Sequence, residues 1–218
     1  MEKKVKIREL EKKDRLPYIW EYYKFHIIGT ICGLAVVIGF LVHFLTPRKE
    51  VVLNLLMVNV DHSVIGDASY FDDFMKKNGY DTSKQEINLN ANFTIDLHDD
   101  KGTSSSTLQS IYTVFMAGAV DVYMSDEELF QAFADNEEFE PLEDYVSKEF
   151  IEKHKDDIVY GTDVETNEKY MAGVRLPKNS KYVKDNLFYL TPVVIGFSGP
   201  KVQNYEAQKQ FLEYVFDE

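Results

Sequence analysis

Cysteine is almost missing from this 218-residue chain: the one copy, Cys32, lies inside the longest apolar run. Anything built from the remaining residues has no disulfide available and must be held by an ordinary hydrophobic core. Catalytic signatures are lacking as well. The 11 glycines include no phosphate-binding loop and no dinucleotide fingerprint. Gly196-Phe-Ser-Gly199 is one residue too short for the G-x-S-x-G nucleophile elbow. His62, His98 and His154 do not fall at metal-ligand spacing. These gaps argue against an enzyme, and the reading expects no catalytic residue, no metal and no cofactor. Internal repeats and low-complexity linkers are absent too.

Basic charge is scarce over most of the length. The formal net charge is −13. Residues 1–50 hold ten basic and six acidic groups, so residues 51–218 carry −17. That balance excludes nucleic acid and anionic lipid as natural partners of the larger part, and leaves small ligands open.

What is present is one long run without charge. Ile27–Thr46, IIGTICGLAVVIGFLVHFLT, contains no Asp, Glu, Lys or Arg. As a helix of 1.5 Å rise it would extend roughly 30 Å, the thickness of a bilayer's hydrocarbon core. The run is too long for a cleaved signal peptide, and it ends Phe44-Leu45-Thr46-Pro47 where a small-residue exit would stand. Cys32 sits within the run and not at its end, which argues against a lipoprotein signal. The reading is an uncleaved single-pass anchor. Gly29 and Gly33 form a G-x-x-x-G in it, a spacing that lets two membrane helices approach closely. His43, near the outer end, is expected at the interface or against a partner.

The flanks set an expected orientation. Residues 1–26 contain Lys3, Lys4, Lys6, Arg8, Lys12, Lys13, Arg15 and Lys24 against five acidic groups, so the positive-inside rule places the N-terminus in the cytoplasm. Trp20, Tyr22, Tyr23 and Phe25 precede the run, where amphipathic rings favour the headgroup layer. Leu10, Leu16, Ile19 and Trp20 fit one face of an amphipathic helix; a basic tail interrupted at Pro17 is the alternative. The expected organisation is a cytoplasmic juxtamembrane segment over 1–26, a membrane helix over 27–46 and an extracytoplasmic domain over 47–218 in the plasma membrane.

Beyond Pro47 the pattern alternates between strand and helix. Val51–Val60 reads as a strand buried on both faces. Tyr70, Phe71, Phe74 and Met75 keep helical spacing up to Asn78-Gly79. Glu86–Leu97 alternates as a half-exposed or edge strand. Leu108, Ile111, Tyr112, Phe115 and Met116 form a helical stripe closed by Gly118. Ala119–Met124 returns to strand, and Ser125-Asp126-Glu127-Glu128 reads as a capping box. Tyr160–Lys169 reads as a hairpin turn, Tyr170–Leu176 and Leu187–Phe197 as strands, the second at an edge or bulge because of Pro192. Tyr205–Phe216 is a closing helix. The fold class is α/β: one N-terminal membrane helix and one domain with a mainly parallel or mixed sheet flanked by helices, which can bury about 70% of its unfolded surface.

Three phrases carry a likeness: Met116-Ala-Gly-Ala-Val-Asp-Val-Tyr123, Phe139-Glu-Pro-Leu-Glu-Asp-Tyr145 and the closing Tyr205-Glu-Ala-Gln-Lys-Gln-Phe-Leu-Glu-Tyr-Val-Phe216. From Val51 on, the chain resembles one lobe of the extracellular solute-binding proteins that serve ABC importers, the type 2 periplasmic-binding fold. Complete members have two lobes, so the second is absent or reduced here. Tyr18–His26 resembles the juxtamembrane run of small single-pass proteins of clostridia-like Gram-positive bacteria. The resemblance implies a non-enzymatic accessory of a membrane complex whose partner is an ABC transporter permease. A stand-alone receptor or envelope sensor for a small molecule is the alternative.

Open α/β sheets bind ligands beyond the carboxyl ends of their strands. That rule picks out Asn59, Asp61 and His62 after the first strand, Ser104 and Ser105 at a helix start, and Ser125 with Asp126 after the third. Free N–H groups at the helix start would suit an anion, although Ser and Asp there also serve as plain caps. Asp96-Leu-His98-Asp99-Asp100-Lys-Gly102 has the oxygen donors of a calcium loop, but Lys101 and Thr107 occupy the positions that an EF-hand gives to Gly and Glu.

Overall fold

The computed structural model describes residues 11, 13, 15–45, 48–98, 103–136, 138–199 and 201–216, and it divides into two units, 1–48 and 49–218. The first unit holds helix α1, Arg15–Leu45. Its 28-residue stretch Arg15–Val42 is long and apolar enough to cross a membrane, and none of its apolar window is buried. Ile31, Phe40 and Phe44 are more than half exposed. In water that is a large uncompensated cost; in lipid it is the stable arrangement. The helix starts 12 residues before the expected boundary, because Pro17 falls in its first turn, where the missing N–H costs nothing. Leu10, Pro47 and the side chain of His43 lie outside the described residues, as do Asp99, Asp100, Lys101 and Gly102.

The second unit is a six-stranded mixed sheet with helices on both faces. In chain order it contains β1 (Glu50–Val58), α2 (His62–Ile65), α3 (Asp72–Lys77), β2 (Gln85–Phe93), α4 (Thr103–Met116), β3 (Val122–Asp126), α5 (Glu127–Ala134), α6 (Lys148–Lys153), β4 (Ile158–Thr162), β5 (Lys169–Arg175), α7 (Lys181–Lys184), β6 (Val193–Phe197) and α8 (Lys201–Phe216). The strand order is β2-β1-β3-β6-β5-β4. β2, β1 and β3 run parallel, whereas β3-β6, β6-β5 and β5-β4 are antiparallel pairs.

Alternation along the inner strands divides the core in two. Leu53, Leu55 and Met57 of β1, with Val122, Met124, Val193, Ile195 and Phe197, pack under α3 and α8. Leu56 and Val58, with Tyr123 and Val194, pack under α4 and α5. This three-layer arrangement is the solution for strands that are apolar on both faces. On the α5 side, Gly173 and Gly196 sit opposite each other across β5 and β6. A Cβ on either would lie 2.5 or 2.7 Å from Cζ of Phe130, so the glycine pair makes the slot in which that ring lies. Phe130 stacks on Phe139 at 4.3 Å between centroids, nearly parallel.

Several expectations are corrected. The hairpin around Asp163 has a strand, β4, where turn was expected from Tyr160 on and a partly helical acidic stretch before it, since Ile158–Thr162 pairs along β5. Pro192 precedes β6 and does not interrupt it, so β6 is an inner strand paired on both sides. β3 runs through Ser125, and the helix cap is Asp126, whose carboxylate accepts from the Leu129 N–H. Met116, expected in the buried stripe of α4, is 83% exposed, because α4 packs through Ile111 and Phe115. Gly79 and Gly118 end α3 and α4 at positive φ, as their positions in the sequence predict.

Candidate functional site

Asn59, just past β1, meets Asp126, the last residue of β3. Asn59 Nδ2 donates to Asp126 Oδ2 at 2.9 Å, and Asn59 Oδ1 accepts from the Ile95 N–H at 2.8 Å. The Asn59 backbone, at φ +61°, also donates to the Phe93 carbonyl and accepts from the Tyr189 N–H. Asn tolerates this left-handed conformation better than most residues. Through its side chain and its backbone together, this one buried residue ties β1 to the continuation of β2, to the start of α5 and to the segment leading into β6. Ser125 is fully buried, with its hydroxyl donating to the Asp126 carbonyl at 2.9 Å.

The other strand-end residues lie apart from this pair. Asp61 caps α2, accepting from the Ser63 N–H at 2.8 Å and its hydroxyl at 2.7 Å, and these bonds hold its pKa below the usual carboxylate range. His62 is exposed and lines a shallow recess of about 330 Å³ with Asp67 and Glu86. Ser104 donates to the Asp96 carbonyl, and Ser105 is exposed in the first turn of α4. Gly29 and Gly33 lie on α1 with nothing within 4 Å of an added Cβ.

An open groove of about 760 Å³ runs past the Asp126 end of β3. Leu97, Leu190 and Pro192 give it apolar lining, and Asp126, Glu128 and Asp135 line it as well. Leu190 is 54% exposed, so the apolar lining faces solvent. His98 Nε2 lies 3.1 Å from Glu128. At the same end Glu127 forms a two-point pair with Arg175, whose Nε donates to Oε2 at 2.7 Å; the guanidinium holds the Glu127 carboxyl below its ordinary pKa. Sequence periodicity carries no signal for this pair, since Glu127 and Arg175 are 48 residues apart and meet through the β3-β6-β5 order.

The opposite end of β3 holds a polar knot that the sequence reading also missed. Asp121, 3% exposed, accepts at Oδ2 from the Asn54 N–H at 2.6 Å, Asn54 Nδ2 at 2.8 Å and Asn204 Nδ2 at 2.7 Å. Its carbonyl accepts from Gln208 Nε2 at 2.7 Å. The knot fastens α8 to the inner strands β1 and β3, and a kink at Asn204 lets its amide reach in. Such a satisfied cluster fixes one arrangement of helix on sheet.

Among the described residues no three His, Cys, Asp or Glu side chains are placed to share a metal ion. Chemically, the strand-end surface offers carboxylates beside an apolar wall, and its most buried polar groups are already occupied in holding the fold. Comparisons with protein-family models, curated proteins and solved structures return no match for this chain.

Proposed function

We propose that the protein is a single-pass membrane protein with its N-terminus in the cytoplasm, whose extracytoplasmic α/β domain is a non-enzymatic accessory subunit of a membrane complex of the ABC-importer kind. The observation that carries this reading is that one unit of the chain is an apolar helix with none of its apolar window buried while the other is a self-contained α/β domain. The eight basic groups in residues 1–26 and the −17 charge of residues 51–218 support the orientation by the positive-inside rule. Tethering supplies such a domain to a partner at high effective concentration. The solute-binding likeness of the three phrases quoted above supports the importer as that partner.

Co-purification of the tagged full chain in mild detergent, after photo-crosslinking from position 29 or 33, tests the proposal. An importer permease recovered reproducibly is the expected result; its absence from repeated captures rejects the accessory role. Protease added to intact cells should digest residues 51–218, and protection there would reverse the orientation.

The 760 Å³ groove favours a second reading, a small-molecule receptor or envelope sensor working alone. Under it the full chain would be captured without a permease and would gain thermal stability from one member of a solute panel.

A further inference from the structure

Tyr189 and Leu190 are the one pair of sequence neighbours among the described residues of the α/β unit whose large apolar side chains are both mainly in solvent, at 56% and 54% exposure. Leu187 and Phe188, just before them, are buried. The segment is no loose loop tip. The Asp61 N–H donates to the Leu187 carbonyl at 2.7 Å, the Tyr189 N–H to the Asn59 carbonyl at 2.9 Å and the Glu127 N–H to the Pro192 carbonyl at 2.9 Å. Its backbone is thus pinned to the continuation of β1 on one side and to the start of α5 on the other, and it holds Leu190 at the 760 Å³ groove. Apolar side chains kept in solvent on a fixed backbone mark an interaction surface, because the ordering is complete before a partner arrives.

Charge and shape select the partner. Glu128, Gln131, Ala132 and Asp135 line the groove at i, i+3, i+4 and i+7, so one face of α5 follows it for roughly 10 Å. Neither Lys nor Arg lines it. Asp126 is taken up by Asn59 and the Leu129 N–H, and Glu127 by Arg175. Glu128, with His98 beside it, and Asp135, which accepts from Gln131 Nε2 at 3.0 Å, remain as exposed carboxylates at the two ends of that face. A second copy of this chain is a poor occupant, since residues 51–218 carry −17. A small solute suits an open groove less well than a length of chain, because small-ligand sites cover most of their ligand.

We propose that this groove docks an extended basic segment of a partner protein, with an apolar side chain of that segment against Leu97, Leu190 and Pro192 and a Lys or Arg on either side of it reaching Glu128 and Asp135. An extended chain advances about 3.3 Å per residue, so the two carboxylates suit basic residues three apart. The proposal rests on the membrane-complex reading and names the surface by which the α/β domain meets its partner.

The test is a photo-crosslinking amino acid at position 190 of the full chain in its own cells, with the crosslinked segment sequenced by mass spectrometry. Position 116, where Met116 is 83% exposed and outside the groove, is the control. The expected result is a yield at 190 at least tenfold above that at 116, on a segment with Lys or Arg on both sides of an apolar residue. Glu128→Lys with Asp135→Lys should lower the yield at least tenfold, while Glu143→Lys with Glu152→Lys, the same change of net charge outside the groove, leaves it unchanged. No protein crosslink above the control, a segment without basic residues, a second copy of this chain at 190, or equal yields in the two charge-reversed variants overturns the proposal. So does a small solute that raises the melting temperature of the wild-type chain but not of the Glu128→Lys, Asp135→Lys variant. Permease capture from position 29 or 33 separates the two readings: capture there with no crosslink at 190 rejects the groove and keeps the membrane complex, and failure of both rejects both.

Discussion

Asn59 Nδ2 donates to Asp126 Oδ2 at 2.9 Å, joining residues 67 apart in sequence at the carboxyl end of the parallel strands. Both are polar and both are buried, at 4% and 6% exposure. Asn59→Ala removes two side-chain hydrogen bonds, strands the Ile95 N–H and leaves a Cβ residue at φ +61°. The expected loss is about 2–4 kcal/mol in thermal or denaturant unfolding of the full chain in detergent. Asn59→Gly keeps the backbone conformation at no steric cost and should lose about 1 kcal/mol less than Ala. Equal losses would place the whole cost on the hydrogen bonds.

The Phe130 slot gives a paired prediction. Gly196→Ala puts a Cβ 2.7 Å from the Phe130 ring, and should destabilise by about 1–3 kcal/mol. Adding Phe130→Leu shortens the offending side chain, so the double variant should lose less than the sum of the singles. Gly173→Ala should not be rescued in this way, since its Cβ also meets the Ile195 carbonyl at 2.5 Å. Rescue of both variants alike would show that ring contact alone excludes side chains from these positions.

His154 predicts a pH effect. Burial among Phe150 and Phe216 and the nearby Lys153 lower its pKa from 6.5, against a smaller opposing pull from Asp157. The unfolded chain therefore takes up a proton before the folded one does, and stability falls as pH drops below about 6.5. His154→Phe removes the titration, and melting temperatures of the variant should decline less than wild type between pH 6.5 and the mid-acid range. Parallel decline would assign the loss to other groups.

Glu127 predicts the next step down in pH. Arg175 holds its carboxylate below the ordinary value of 4.5, so the stability it contributes is present above that pH and is lost as pH falls through the lowered folded value. Glu127→Gln should cost stability at neutral pH and flatten the acid limb below about 4.5 in the same melts.

A charge in the middle of α1 tests the membrane assignment. Leu34, more than half exposed, lies within the apolar stretch. Leu34→Arg adds about 2.5–3.5 kcal/mol to insertion. The variant should shift from the membrane pellet toward the soluble fraction; unchanged fractionation would argue that α1 is held by something other than lipid.

Much of the α/β order is legible in the residues because burial on both faces leaves a run such as Val51–Val58 nearly continuous, and burial on one face leaves Gln85–Phe93 alternating. What misled the reading were residues with two uses. Ser125 and Asp126 are both good caps; pairing of β3 with β6 as far as Asp126↔Val193 makes Asp126 the cap and draws Ser125 into the strand. Tyr160–Thr162 contains Gly161 and reads as turn, yet a Cβ there would lie 2.5 Å from the Ala134 carbonyl, so the glycine marks close packing of α5 against β4. Pro192 argues against an inner strand only if it lies inside one, and the strand begins at the next residue. Asn59 and Asp126, two of the residues that the strand-end rule picks out, are hydrogen-bonded to each other, and nothing in the sequence shows that each would be used up by the other.

The amino-acid order by itself determined the charge-free helix, the acid excess beyond it and the alternation of strands and helices, because hydropathy and charge act locally and leave a periodic trace. Only the tertiary structure decided that the sheet is half antiparallel, that Asp121 gathers Asn54 and Asn204, and that Tyr145, Phe150, His154 and Tyr205 surround one recess. Those outcomes depend on which distant segments come into register, and the contacts that choose among registers exist only once the chain has closed on itself.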